Sequence, residues 1–169
     1  MRTIKAELRV AGDEGAILRL AGLAARFNSF SEDLGGFRER ILPGAFTTAL
    51  AAERTDVRFL MNHDPNFVLG RTRSSTLRLA QDSEGLRFEV ILPNTQQARD
   101  LYETVKRGDM DQCSFAFTID QGGDEWSEEQ DDRGNRFIAR TLKKVNLFDV
   151  SAVTFPAYRD TSVSAINAS

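Results

Sequence analysis

One histidine, His63, and one cysteine, Cys113, are the only imidazole and thiol in this 169-residue chain. A zinc site of the usual nitrogen–sulfur type needs three or four such ligands, so none can be built here. A lone cysteine forms no internal disulfide, which fits a reducing, cytoplasmic setting. No Gly-x-Gly-x-x-Gly and no Gly-x-x-x-x-Gly-Lys occurs, which leaves nucleotide-binding loops without support. No apolar run approaches the roughly 20 residues needed to cross a bilayer. The charges within Met1–Glu7 argue against an export signal. A net charge of −3, spread along the chain, gives no nucleic-acid footprint. Carboxylate-only metal sites are unmarked, so neither metal nor cofactor is expected.

What is present reads as one soluble domain: 41% of residues are apolar and 28% charged, enough for a sizeable core. Ile4, Ala6, Leu8 and Val10 alternate with polar residues, predicting a half-buried strand. After a turn at Gly12–Gly15, residues 16–25 read as its partner. Residues 28–46 are turn-rich, and a short helix fits Ala45–Arg54. Asp56–Asn62 looks like a strand that delivers His63 at its end, and Pro65 stops anything helical there. Residues 71–93 resemble two strands around a turn at Gln81–Gly85.

The clearest helix spans residues 94–109. Asn94 can cap it, with Gln97 at the reciprocal capping position. Ala98, Leu101, Tyr102 and Val105 share one face, and Gly108 suits the residue past the last turn. Residues 112–120 form a buried strand, residues 121–136 a long acidic hairpin loop, and residues 137–142 and 145–153 further strands. The domain is expected over 1–158, with a flexible tail over 159–169. Many short strands and two helices predict a β-rich α+β fold with a closed or partly open β-barrel flanked by helices.

His63, where a strand meets a loop, can accept and return a proton near neutral pH. Alone, it is better read as a turn histidine bonded to Asp64; a second residue has to change that. Ser114 is the candidate. Strand alternation puts Cys113, Phe115, Phe117 and Ile119 on one face, and Ser114, Ala116 and Thr118 on the other. Small neighbours on the serine's face leave room for a substrate carbonyl, but a hydroxyl is a weak nucleophile until a base takes its proton. Cys113 competes, yet it points into the apolar face, where a thiol stays neutral. A third group should hold the other imidazole nitrogen. Asp149 interrupts the apolar strand "VNLFDVSAVTF", where a charge is costly unless paired. Asp64 is the local alternative.

The ordered segments "FNSFSEDLGGFRERILPGAF", "VRFLMNHDPNFVLGRT", "STLRLAQDSEGLRFEVILPNTQQARDL", "RGDMDQCSFAFTI" and "LFDVSAVTFPAYRDTSV" resemble the HK97-type prohead proteases of tailed bacteriophages. The resemblance implies a fold like that of the herpesvirus assemblin proteases. It puts His63 at the family's "NHD" histidine, Ser114 at the serine of "SFxF", and Asp149 at the acidic position of "L-x-E/D-V-S-x-V-T-x-P-A-Y". Many relatives carry the longer Glu there. A second histidine as third member, as in the herpesvirus enzymes, is excluded because the chain has only one.

The activity so implied is serine endopeptidase action on the scaffolding segment of the major capsid protein, and on the protease itself, during prohead maturation. It would act inside the assembling prohead in the cytoplasm of a bacterial host, from an active phage, a prophage or a gene-transfer particle. Backbone N–H groups are expected as oxyanion donors, with Arg71 and Arg73 as added candidates, and the C-terminal tail as a self-cleavage region. A homo-oligomer is left open. Two rivals remain: a non-catalytic factor binding capsid protein on the same fold, and a cysteine hydrolase using Cys113.

Overall fold

The computed structural model describes residues 16–51 and 55–166. The strand expected over Ile4–Val10 and the turn after it lie outside those residues. The elements run β1 (Arg19–Arg26), β2 (Phe37–Ile41), α1 (Thr47–Ala51), β3 (Arg58–Met61), β4 (Gly70–Arg71), β5 (Leu77–Gln81), β6 (Gly85–Ile91), α2 (Gln96–Arg107), β7 (Gln112–Thr118), β8 (Asp124–Gln130), β9 (Arg136–Leu142), β10 (Asn146–Val153) and β11 (Ser162–Ile166). The fold is β-rich α+β, as expected.

The strands form three sheets, in the orders β11-β1-β6-β5, β4-β3-β10-β7 and β2-β9-β8. Among the described residues no continuous ladder closes a ring. The two four-stranded sheets are instead stitched at both edges. On one side Thr161 Oγ1 accepts from the Cys113 N–H at 3.0 Å and donates to the Cys113 carbonyl at 2.6 Å. Beside it, the Val163 N–H donates to the Asp111 carbonyl at 2.9 Å. On the other side the turn from β4 to β5 is tied by Arg71 N–H to Thr76 Oγ1 at 2.9 Å. Between the sheets lie Leu20, Phe59, Val90, Cys113 and Val150, all fully buried.

β7 follows its predicted alternation. Cys113 and Phe115 are buried, and Phe115 packs edge-on to Phe46 at 5.5 Å between ring centroids and stacks on Phe117 at 5.1 Å. Ser114 and Ala116 are half-buried on the opposite face. Helix α2 buries the four predicted residues, and Gly108 ends it at φ 84°, donating to the Thr104 and Val105 carbonyls. Its cap is Thr95 rather than Asn94: Thr95 Oγ1 accepts from the Ala98 N–H at 3.3 Å, while Asn94 Oδ1 is occupied by Arg99 at 2.6 Å.

Two further expectations are corrected. The acidic connection contains strand β8, paired along its length with β9. Its carboxylates sit opposite cations, Arg140 with Asp124 at 2.8 Å and Arg40 with Glu129 at 2.6 Å, which neutralises what looked like a solvated loop. The C-terminal stretch expected as a flexible tail contains β11, which pairs with β1 from Arg19↔Ile166 to Leu23↔Ser162. Val163 supplies its buried anchor, and Tyr102 Oη donates to the Ile166 carbonyl at 3.1 Å.

Gly85 starts β6 where the chain passes close to β1. A methyl group there would overlap the Ala25 carbonyl oxygen, a backbone atom with no rotamer to escape into. Gly85→Ala is expected to lower stability by about 3 kcal/mol, at the upper end of overpacking costs. Thermal denaturation checks this; a melting temperature equal to wild type would contradict the packing.

Candidate active site

The imidazole is presented by an unusual turn. Asn62 and His63 both have positive φ, at 51° and 56°. The Asp64 N–H closes onto the Met61 carbonyl at 3.0 Å. Positive φ at both central residues is the signature of a type I′ turn, whose second central position normally takes glycine. A side chain there is strained and persists only where the surroundings fix it. They do so at three points. The Asn62 N–H donates to the Ala152 carbonyl at 2.9 Å. Asn62 Oδ1 accepts from the Thr154 N–H at 2.9 Å. The His63 N–H donates to Ser151 Oγ at 3.2 Å. The turn is thus riveted to the end of β10, and His63 hangs over that strand.

β10 supplies the carboxylate. Asp149 Oδ1 lies 2.7 Å from His63 Nδ1. A carboxylate only accepts, so the neutral imidazole carries its proton on Nδ1 and leaves Nε2 to accept. Asp149 is 8% exposed, and the cost of burying it is met by two donors. Besides the imidazole, Ser151 Oγ donates to the same Oδ1 at 2.8 Å. Ser151 is fully buried and also approaches His63 Nδ1 at 3.3 Å.

Ser114 stands on the neighbouring strand. In the antiparallel β10–β7 pair it is directly opposite Ser151, which puts the two side chains on one face with Cβ atoms about 5 Å apart. Asp149 pairs with Ala116 on that same face, after a bulge at Phe148. Ser114 Oγ makes no side-chain hydrogen bond among the described residues and is half-buried. No hydrogen bond joins it to His63 in this structure; such contacts commonly tighten only when substrate is bound. One sheet face therefore carries an oriented imidazole, its carboxylate and an unengaged hydroxyl.

The other candidates are elsewhere. Cys113 is fully buried on the core face, and burial pushes its thiol well above the ordinary range. Asp64 turns away from the imidazole, its Oδ1 accepting from the Asn66 N–H and side-chain amide at 2.9 Å. Arg71 is held by Asp56 through two bonds of 2.6 Å, which pull the Asp56 carboxyl down to about 2. Across the sheet the register runs Arg71–Arg58–Asp149–Ala116, so Arg71 is two strands away from Asp149. Arg73 is exposed.

Ser151 was not singled out in the sequence. Its signal was there: in "DVSAV" it is the second polar residue on the face that carries Asp149, in a strand otherwise apolar. The positive φ of Asn62 and His63 had no such signal, because the pair lacks the glycine that marks a type I′ turn.

Residues 5–169 match the family described as Caudovirus prohead serine protease. The prohead protease of Enterobacteria phage HK97 is 28% identical over 163 residues, covering 95% of this chain and 64% of that relative. The chain thus spans just under two thirds of the relative's length. Among solved structures, the KSHV protease in complex with a hexapeptide phosphonate inhibitor superposes with a TM-score of 0.53 at 14% identity. That likeness covers 89% of this chain and 65% of the other, and shows a shared fold. Because the sequence match takes in every strand that carries the site, the chain belongs to the caudovirus prohead serine protease family.

Proposed function

We propose that this chain is a serine endopeptidase of capsid maturation, in which Ser114 is the nucleophile, His63 the general base and acid, and Asp149 the residue that orients the imidazole. The observation that supports it most is the 2.7 Å His63–Asp149 contact on the sheet face that also carries Ser114. It fixes the tautomer that such chemistry needs. Ser114 Oγ attacks the scissile carbonyl as Nε2 takes its proton, and the imidazolium returns that proton to the leaving amine. Water then cleaves the acyl-enzyme with the same help. Backbone N–H groups serve as oxyanion donors, each worth on the order of 3 kcal/mol; Arg71 is occupied by Asp56. The two stitched sheets act as a partly open barrel that holds β7 and β10 in register.

The substrates are the scaffolding segment of the major capsid protein and the protease itself, inside the assembling prohead in the bacterial host. Self-cleavage within Ser162–Ile166 has to peel β11 from β1 first, since those residues are paired. Co-expression with the capsid protein of the same phage, read by intact mass, tests the proposal. Processed capsid chains with wild type and full-length chains with Ser114→Ala are expected. Full-length chains with both would favour a capsid-binding factor without catalysis. Cys113→Ala should process as wild type does, because the buried thiol faces away from the site; loss of cleavage in a folded Cys113→Ala protein would reopen the cysteine reading.

A further inference from the structure

We infer that Ser151 is a positioning residue: its hydroxyl locks the Asp149 carboxylate and the strained His63 turn to one another. The inference rests on the reading of His63, Asp149 and Ser114 given above, and names a fourth group on which that reading depends. Ser151 is fully buried and lies on the Nδ1 side of the imidazole, so it has no access to a substrate carbonyl. Its one O–H proton goes to Asp149 Oδ1 at 2.8 Å. Its lone pairs receive the His63 N–H at 3.2 Å. The carboxylate and the turn are thus coupled through one oxygen atom, as well as through the 2.7 Å imidazole contact.

The coupling has a physical purpose. Asp149 follows a bulge in β10, and the strand alone does not fix where its carboxylate points. His63 sits in a backbone conformation that relaxes unless it is held. Without the hydroxyl, Asp149 loses one of its two donors and the turn loses one of its three attachments to β10. The imidazole ring remains near its place, but its angle and tautomer are free to vary. Misplacement of about 1 Å in a reacting group costs about 100-fold in rate.

Because the chain has a single histidine, nitrogen-15 NMR of the imidazole reports this tautomer without overlap. In the wild type, at a pH where the ring is neutral, the proton should reside on Nδ1. In Ser151→Ala the Nε2–H form should become populated. On a peptide spanning the capsid cut mapped by co-expression, kcat should fall about 100-fold with KM within twofold. Ser151→Thr, which keeps the hydroxyl, should recover most of kcat and the Nδ1–H tautomer. A merely structural role would lower the melting temperature and leave the tautomer and the kcat of the folded fraction alone; that result overturns the inference. The kcat–KM split in Ser151→Ala decides even if the threonine variant does not fold. Ser114→Ala separates the two levels. If it is inactive while Ser151→Ala matches wild type, the inference alone fails. If Ser114→Ala cleaves normally, the assignment of the nucleophile fails instead.

Discussion

Ser114→Ala should yield a folded protein that cuts nothing. The side chain makes no hydrogen bond among the described residues, and alanine removes one oxygen from a half-buried surface, so the melting temperature should stay within a few degrees of wild type. The catalytic loss is of another order. Removing the nucleophile from a unit of this kind costs on the order of 10⁶-fold in turnover, about as much as removing the whole unit. Intact mass of co-expressed capsid protein should therefore show only the full-length chain. Processed chains at wild-type levels would move the nucleophile elsewhere, and not to Ser151, the hydroxyl opposite Ser114, which is fully buried.

Asp149→Asn is expected to be almost as damaging, with the fold retained. Asparagine is nearly isosteric, and its amide can still meet the imidazole. If its NH₂ faces Nδ1, it donates there and drives the ring proton to Nε2, where it blocks acceptance from Ser114. Substitution of the orienting carboxylate in a comparable triad costs about 10⁴-fold in kcat through the wrong tautomer. The same size of effect is expected here, with KM little changed. Imidazole NMR of the variant should show the Nε2–H form. Near-normal turnover would transfer the orienting role away from Asp149; Asp64, bonded to Asn66 and turned aside, would then have to rotate by a large angle to take it.

How much of this was legible in the sequence follows from how local each determinant is. Helix α2 was readable almost to the residue, because its buried face and its Gly108 terminus are written in neighbouring positions. The alternation of β7, with Ser114 opposite the phenylalanines, was readable for the same reason. β8 was not. Its acidic residues look like a solvated loop until Arg140 of the hairpin partner β9, and Arg40 of β2, 89 positions from Glu129, are set against them. β11 was hidden similarly: small, polar residues acquire a strand only because β1 offers an edge. At the site, each residue type and its role could be proposed from sequence and family resemblance. The contact of His63 with Asp149, 86 positions apart, depends on β3 and β10 being parallel neighbours, which is a property of the whole topology. The place of Ser151 on the Asp149 face is readable in the strand pattern, but its bonds to Asp149 and to the His63 N–H depend on that topology.

The most direct test of the central claim is to treat the protein with a serine-directed fluorophosphonate and locate the adduct by peptide mass spectrometry. A hydroxyl is phosphonylated quickly only if a base removes its proton as it attacks. The expected result is one adduct, on Ser114, absent from Ser114→Ala and formed far more slowly in His63→Ala. An adduct on another residue, or labelling of Ser114 that is just as fast without the imidazole, would contradict the assignment of these two side chains to a single proton-transfer unit.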